Sequence, residues 1–245
     1  MLSLDRQNQF REQYRLTNPH WRPATEVYAA LVREHLRPNS RVLDLGCGRG
    51  GLVEQLDHPL NAITGVDVDE QSLHEHRLAW LPRVAAVANT LPFRAAAFDL
   101  AFSSWLLEHL ANPAHTLREI GRVLRPGGCF VFITPNKRHP LAALNQVAGR
   151  LGRWQMQLVE QLYGRSAADT FPTCYRANSL DDLQRLSRQS SLILTHLEHI
   201  PDPSYLAFTE TIFHLTSRIE QQLPSNRYIH LVGILKKRAD DRVTG

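Results

Sequence analysis

Asp44 and the glycines that follow it are the residues whose types and spacing best suit ligand chemistry. The chain reads Val42-Leu43-Asp44-Leu45-Gly46-Cys47-Gly48-Arg49-Gly50, so a carboxylate lies two residues before the first of three alternating glycines. Glycine permits a tight turn and lets a ligand approach the backbone without meeting a Cβ atom. A second carboxylate, Asp67, ends the next apolar run, about twenty residues later, where an acidic side chain can accept hydrogen bonds from ribose hydroxyls.

These residues suit two adenosine-containing cofactors, and Asp44 distinguishes between them. The segment Gly46-Cys47-Gly48-Arg49-Gly50-Gly51 fits the dinucleotide pattern G-x-G-x-x-G, which is a weak signal by itself. A carboxylate at position 44 repels a pyrophosphate and attracts an α-ammonium group, by roughly a few kcal/mol in a partly buried site. The sequence contains no Gly-x(4)-Gly-Lys-Ser/Thr segment, which argues against a nucleoside triphosphate. The pattern therefore favours S-adenosylmethionine over NAD.

Four segments, in this order, resemble the class I S-adenosylmethionine-dependent methyltransferases, particularly the UbiE-like enzymes that act on small molecules. They are VLDLGCGRG (42–50), GVDVDE (65–70), TLPF with FDLAFSSWLLEHL (90–93 and 98–110), and LREIGRVLRPGGCFVFITPN (117–136). The resemblance implies in-line transfer of the sulfonium methyl group to a small organic acceptor. It also implies that the cofactor is bound by Asp44, Gly46, Cys47, Gly48, Gly50, Asp67, Val68, Asn89, Thr90, Leu91, Ser103 and Ser104.

The chain departs from the family pattern where adenine is bound. Related enzymes often carry an acidic residue shortly before the Leu-Pro-Phe segment, whereas this chain has no carboxylate between Ala85 and Leu91. We expect Asn89 to act as a neutral acceptor for the adenine amino group, or backbone groups at Thr90 and Leu91 to take that place.

Strand-like and helix-like segments alternate along the chain, which predicts an α/β fold. We expect a Rossmann-like, doubly wound sheet of about seven strands, mostly parallel, with an antiparallel last strand and a helical lid inserted after the fifth strand. The predicted strands are 41–45, 62–67, 83–87, 98–103, 129–134, 192–199 and 228–236. The predicted helices are 24–36, 50–57, 70–79, 113–124, 140–163, one that begins near 179, and 209–223. Ligands bind such sheets beyond the carboxyl ends of the strands.

The length and composition predict a single domain over residues 1–245. Residues 1–40 are expected to form an N-terminal helical cap, and 41–135 the cofactor-binding core. Residues 136–180 are the predicted substrate lid, and 181–238 the C-terminal part of the sheet.

Three residues are candidates for catalysis, and each also has a simpler structural interpretation. His109 follows the predicted fourth strand and is either a general base or a residue that packs beside the cofactor. His139 and Tyr175 lie in the predicted lid, where they either face the acceptor or pack within the lid. A base is required only if the acceptor must lose a proton, so the sequence leaves O-, N- and C-methylation open.

Charge and cysteine usage limit the partners and the compartment. The net charge of +4 is spread along the chain, whereas a nucleic-acid binder more often has a concentrated basic stripe. The three cysteines show no metal-ligand spacing, so we expect no metal and a reducing cytoplasm. The stretches 141–162 and 205–208 are amphipathic, and core packing is favoured over membrane contact for both. The oligomeric state stays open.

Two other functions compete with methyl transfer to a small organic acceptor. An NAD(P)-dependent oxidoreductase is supported by G-x-G-x-x-G together with Asp67. A non-catalytic interaction protein that binds the cofactor is supported by the missing acidic residue before Leu91. Methylation of nucleic acid is disfavoured, because the chain lacks Asn/Asp-Pro-Pro-Tyr/Phe after the fourth strand and contains no Pro-Cys dipeptide.

Overall fold

The computed structural model describes residues 4–142, 172–207 and 209–239, and its centre is a seven-stranded sheet. The strand order is β3-β2-β1-β4-β5-β7-β6, and β7 runs antiparallel to both of its neighbours. This confirms the predicted α/β class, the mostly parallel sheet and the antiparallel last strand. The strands are β1 (Val42–Leu45), β2 (Ile63–Asp67), β3 (Arg83–Ala85), β4 (Phe98–Ser104), β5 (Leu124–Pro135), β6 (Leu192–Ile200) and β7 (His230–Lys237).

Several helices begin after a residue whose side chain accepts a hydrogen bond from a free backbone amide. The side chain of Asn112 accepts a hydrogen bond from the His115 amide ahead of a proline in the first turn, and Ser179 accepts one from the Asp182 amide. Both arrangements are typical N-terminal caps. The helices are α1 (Leu4–Thr17), α2 (Ala24–His35), α3 (Glu70–His74), α4 (Pro113–Val123), α5 (Leu180–Arg188) and α6 (Glu210–Gln222). Short 3-10 turns occupy Leu52–Gln55, Leu60–Ala62, Leu107–His109, Pro203–Leu206 and Ser225–Arg227.

Helices cover both faces of the sheet, as a doubly wound fold requires. On one face, α4 and α5 pack against a layer that includes Leu43, Ala101 and Phe132. On the other face, α2 packs against Val42 and Phe102 together with other buried residues of the central strands. Successive strand residues point to opposite faces, so these two layers also show on which face each residue at a strand end lies.

Two predicted helices are shorter than the sequence indicated. Residues 50–57 form only the turn Leu52–Gln55, and 70–79 form only α3. Ion pairs between Arg49 and Glu75 and between Arg77 and Glu54 join these two segments, and the Arg77 amide donates to the Arg49 carbonyl. The chain after α3 therefore turns back towards the glycine loop instead of continuing as a helix.

Other boundaries also differ from the prediction. Strand β5 begins at Leu124 rather than 129, with a register shift between the Phe98 and Leu100 pairings of β4. The predicted helix 209–223 is present as α6, but it buries Phe213 and Glu220 and exposes Leu215 and Ile219. The apolar residues Leu215 and Ile219 of α6 therefore do not belong to the core.

The predicted lid, 136–180, and the predicted helix 140–163 lie largely outside the described residues. Within the described part, residues 140–142 are helical and 172–179 form an irregular segment before α5. Most of the amphipathic stretch 141–162, and parts of 205–208, also fall outside. No helix among the described residues is both long and apolar enough to cross a membrane.

The N-terminal helix α1 lies against the C-terminal part of the chain. The Phe10 and Phe213 rings stack with their centroids 4.7 Å apart, and Arg11 pairs with the buried Asp202 at 2.8 Å. The Trp21 indole nitrogen donates to the Pro201 carbonyl at 2.7 Å. These contacts hold α1 beside the end of β6. The division of the chain into cap, core, lid and C-terminal part stays a prediction.

Replacing Gly233 with alanine should destabilise the sheet. This residue of β7 pairs with Phe132 of β5, and an added Cβ would lie 2.7 Å from the Phe132 ring and 3.0 Å from the His196 carbonyl oxygen. We expect the free energy of unfolding to fall by about 1–3 kcal/mol, as in other overpacked cores, which urea titration followed by circular dichroism can measure. Gly51→Ala is the matched control, because a Cβ there meets no atom within 4 Å. Equal stabilities of the two variants would contradict this account.

Candidate active site

The loop after β1 is held against β2 by its own backbone. The amides of Gly46 and Cys47 both donate to the Val66 carbonyl, at 2.7 and 3.1 Å. Gly46 and Gly48 have φ angles of 77° and 47°, a left-handed conformation that favours glycine. The glycine spacing read from the sequence therefore corresponds to a turn that side chains with a Cβ would strain.

Asp67 joins this loop to the start of α3. Its Oδ2 accepts the Gly48 amide at 2.8 Å, and its Oδ1 accepts the Asp69 amide at 3.0 Å. A carboxylate has about four lone-pair positions, so each oxygen keeps capacity for a further donor. A Cβ on Gly48 would lie 4.0 Å from Oδ2, and the glycine leaves that side of the carboxylate open to a ligand.

Asp44 is buried, and within the described chain no hydrogen-bond donor or cation is paired with its carboxylate. Burial, and secondarily the charge of Asp67, raises the pKa of Asp44 to about 8. An uncompensated buried carboxylate is costly, and the cost is removed when a cation binds beside it. The electrostatics at this position therefore suit a positively charged ligand group.

Tyr28 of α2 adds a second unsatisfied polar group to the same face of the sheet, and sequence reasoning did not identify it. Its hydroxyl is buried and has no hydrogen-bond partner among the described residues. Burial, with a contribution from the charge of Asp44, raises the pKa of Tyr28 well above its usual value. Tyrosine hydroxyls normally find a partner when buried, so this one is suited to a bound molecule. The signal in the sequence is only a tyrosine on the apolar face of α2.

The side chains of Ser103 and Ser104 lie on opposite faces of the sheet. Phe102 belongs to the layer under α2 and Ala101 to the layer under α4, and alternation places Ser104 with the former and Ser103 with the latter. Asp44 alternates in the same way with Val42 and lies on the α2 face. The Ser103 hydroxyl is buried and unpartnered in the described chain, but it points away from the Asp44 face.

Two exposed valines mark the expected adenine position. Val68, which follows β2, is 55% exposed, and Val87, which follows β3, is 48% exposed. Large exposed apolar side chains at the carboxyl ends of adjacent strands suit the two faces of a flat ring. Val87 was not among the residues identified from the sequence.

The backbone of Leu91 is engaged by helix α4. Its amide donates to Glu119 at 3.0 Å, and its carbonyl accepts from Arg122 at 2.9 Å. The carbonyl keeps a second lone pair, so the expected backbone contact to adenine stays a prediction. Asn89 and Thr90 are exposed, with the Thr90 hydroxyl 3.3 Å from Asn89 Oδ1.

Cys47 is a packing residue of the loop. Its sulfur would lie 2.8 Å from a Cβ placed on Gly65, so the glycine in β2 makes room for it. Burial raises the pKa of the Cys47 thiol to about 12, and a protonated thiol is a poor nucleophile.

The three predicted catalytic residues fall into two places. His109 and Tyr175 both adjoin Glu108: His109 follows it in sequence, and the Tyr175 amide donates to the Glu108 carbonyl at 3.1 Å. Nδ1 of His109 lies 3.1 Å from the Pro172 carbonyl oxygen. His139 instead contacts α6, with Nε2 3.2 Å from Glu220, while its Nδ1 accepts the Leu141 amide at 3.2 Å. No cluster of metal-ligating side chains is present among the described residues.

Glu108 is a buried acid that sequence reasoning did not single out. Thr134 donates to its carboxylate at 3.0 Å, and Asn178 donates to Thr134 at 2.6 Å. Burial raises the pKa of Glu108 to about 7. A carboxyl group that titrates near neutral pH can accept or release a proton under working conditions.

Comparison with known proteins agrees with this geometry. The family profile described as "Methyltransferase domain" matches residues 43–132, a range that includes every residue predicted to bind the cofactor. This match supports a class I S-adenosylmethionine-dependent methyltransferase. His139 and Tyr175 lie outside the matched range.

Curated relatives of this chain include methyltransferases. A ubiquinone biosynthesis O-methyltransferase of Nitrosococcus oceani is 33% identical over 126 residues, covering 48% of this chain and 53% of that protein. A demethylmenaquinone methyltransferase of Lactiplantibacillus plantarum is 31% identical over 170 residues, covering 63% of this chain and 66% of the relative. The chain spans about half the length of several curated relatives that it matches.

A solved structure shows the same fold. The S-adenosylmethionine-dependent methyltransferase of Mesorhizobium loti superposes with a TM-score of 0.53 at 20% identity, over 87% of this chain and 98% of that one.

Asp44→Asn should stabilise the ligand-free protein. Because folding raises this pKa from 3.8 to about 8, the folded protein binds more protons than the unfolded chain within that window, and stability falls as pH rises through it. Asparagine removes this cost, on the order of 4–5 kcal/mol at pH 7 to 8 from 1.36 kcal/mol per pKa unit. Urea unfolding at pH 5 and pH 8 measures it. If Asp44→Asn raised the free energy of unfolding equally at both pH values, the pKa of Asp44 would not be raised in the folded protein.

Proposed function

We propose that this chain transfers the methyl group of S-adenosylmethionine to a small organic acceptor. The observation that carries the proposal is the buried Asp44 carboxylate, which has no cation beside it in the described chain. An α-ammonium group of the cofactor would supply the missing positive charge, whereas the pyrophosphate of NAD would be repelled. The same observation disfavours an NAD(P)-dependent oxidoreductase.

The remaining site residues suit the other parts of the cofactor. Asp67 keeps lone pairs for the ribose hydroxyls, since the loop amides occupy only one position on each oxygen. Val68 and Val87 would flank the adenine ring, and Asn89 would accept its amino group. Tyr28 would donate to the amino-acid end, near Asp44. The fit of these groups to one extended ligand supports binding over a purely structural role.

Methyl transfer places few chemical demands on the protein. A lone pair of the acceptor forms a bond to the methyl carbon while the carbon–sulfur bond breaks, and its electron pair stays on sulfur. The product is the neutral thioether S-adenosylhomocysteine, so the protein chiefly aligns the two reactants. Alignment can lower the barrier by about 7–11 kcal/mol in favourable model systems.

An acceptor that carries a proton must also lose it, and His109 and Glu108 are the groups suited to take it. Nδ1 of His109 would donate to the Pro172 carbonyl, which would fix the orientation of the imidazole ring. Glu108 lies beside it on the chain, with its pKa raised to about 7. Both nitrogens of His139 are engaged, so its proposed role is to position the acceptor side of the site. Tyr175 would line the site next to Glu108.

The relatives indicate the class of acceptor. Two of them are, by name, a ubiquinone biosynthesis O-methyltransferase and a demethylmenaquinone methyltransferase. By analogy with these relatives, we propose that this chain methylates a small molecule and not a nucleic acid.

Calorimetry with S-adenosylhomocysteine tests the cofactor site. The wild type should bind it with micromolar affinity and should not bind NAD. Asp44→Asn should weaken binding by about 100-fold, because a charged hydrogen-bonding partner is lost. At pH 7 binding should release close to one proton, since Asp44, with its pKa of about 8, must ionise to hold the ammonium group. Titrations in two buffers of different ionisation enthalpy measure that release.

Asp57→Asn is the control for this titration, because Asp57 is an exposed carboxyl on the loop before Leu60. Binding of NAD in place of S-adenosylhomocysteine would contradict the proposal. Binding without formation of S-adenosylhomocysteine from S-adenosylmethionine, across a broad acceptor panel, would instead favour the non-catalytic interpretation.

Asn89→Asp should strengthen cofactor binding. A carboxylate accepts the adenine amino group more strongly than an amide oxygen does, by about 1 kcal/mol, which corresponds to roughly fivefold in affinity. The same titration measures this change, with Asn61→Asp as a surface control on the turn before β2. Weaker binding of Asn89→Asp would show that adenine is not held at this position.

A further inference from the structure

We propose that Trp105 contacts the acceptor and that the acceptor presents a planar aromatic ring to its indole. This inference rests on the proposed methyl transfer, since it requires an acceptor beside the cofactor. Trp105 has no role in binding the cofactor as described above.

Trp105 lies where an acceptor must meet the cofactor. It directly follows β4, and the next residue, Leu106, has its Cδ1 3.3 Å from where a Cβ on Gly46 would stand. The Trp105 amide donates to the Ile133 carbonyl at 3.0 Å, which directs this turn over the end of β5. The residue is thus adjacent to the glycine loop at the carboxyl edge of the sheet, where ligands bind in folds of this class.

The indole reaches the first residue of β7. Its ring centroid is 5.2 Å from that of His230, at an interplanar angle of 65°. His230 is buried, and burial lowers its pKa to about 4, so its ring is uncharged near neutral pH. An edge-to-face contact with a neutral ring orients the indole. His230 is therefore a positioning residue for Trp105.

The backbone at Trp105 is unfavourable for a residue with a side chain. Its φ is +55°, in the left-handed region that glycine adopts without penalty and other residues rarely occupy. Glycine would form this turn at lower cost, yet the largest side chain is present. Strained backbone of this kind clusters at ligand sites, where the side chain has a use beyond the fold.

The indole is also incompletely covered, with Trp105 37% exposed. An indole has a flat apolar face, which suits stacking with another aromatic ring. The buried carboxylates of Asp202 and Glu220 are engaged by Arg11 and His139.

Ligand-detected NMR on the full chain loaded with S-adenosylhomocysteine tests the ring preference. The probes are catechol, resorcinol and naphthol, with cyclohexanediol as a saturated control that keeps two hydroxyl groups and lacks the flat ring. We expect the aromatic probes to bind and cyclohexanediol to bind at least about tenfold more weakly. Equal binding of cyclohexanediol, or no binding of any aromatic probe to the loaded protein, would overturn the inference.

Three variants separate acceptor contact from a structural role. Trp105→Gly should weaken binding of the aromatic probes by about tenfold, and Trp105→Phe by less than about threefold, because phenylalanine keeps a stacking surface. Trp80→Gly is the matched control, since Trp80 is 89% exposed on a turn and should leave binding unchanged. Trp105→Gly should also keep the melting temperature of the wild type or raise it, because glycine relieves the left-handed strain.

The readouts distinguish this inference from the proposed function. Loss of S-adenosylhomocysteine binding by the wild type would defeat the proposed function. Normal S-adenosylhomocysteine binding together with unchanged probe binding in Trp105→Gly would defeat only the role of Trp105. A lower melting temperature with unchanged probe binding would assign Trp105 a structural role and would likewise overturn the inference.

Discussion

The two hydrogen bonds to the Asp67 carboxylate hold together the parts of the chain on which the site depends. One oxygen accepts from Gly48 in the loop after β1, and the other accepts from Asp69 at the start of α3. The Gly48 contact exists because β1 and β2 are parallel neighbours, so their carboxyl ends meet at one edge. The Asp69 contact is a local turn of the chain after β2. Together with the bonds from Gly46 and Cys47 to the Val66 carbonyl, they fix the glycine loop and the Asp67 carboxylate relative to each other.

The glycine turn and its contact with Asp67 could be predicted from the sequence, because their signals are local. Strand, glycine turn and acidic residue follow one another within short stretches, and each imposes its own backbone geometry. The hydrogen bonds that join Leu91 to Glu119 and Arg122 could not be predicted in this way. Both partners lie on α4, about thirty residues further along the chain, and only the fold brings them close. The early end of α3 also involves residues that are distant in sequence. Arg49 pairs with Glu75, and Arg77 pairs with Glu54, where a longer helix was predicted.

The surroundings of His139 depend on polar contacts between distant segments and not on sequence motifs. Arg11 of α1 reaches Asp202 after β6, the Asp202 amide donates to Glu220 of α6, and Glu220 contacts His139 after β5. Helix α6 buries Glu220, which completes this chain of contacts, and exposes Leu215 and Ile219. Buried charged groups of this kind are retained only when each one is paired, so the partners had to be known before the orientation of the helix could be.

Because β7 lies between β5 and β6, the sheet can be completed only after the last strand has been synthesised. In the described sheet β6 pairs with β7 alone, and one side of β5 is completed only by β7. Between Pro135, where β5 ends, and Lys237, where β7 ends, ribosomes take roughly 5–20 s at about 5–20 residues per second. During that interval the nascent chain carries the open edge of β5, whose residues Phe130, Val131, Phe132 and Ile133 are all apolar. Such an edge is a template for association with other chains, so the yield of this protein in a cell should depend on chaperones that occupy it until synthesis reaches the last strand.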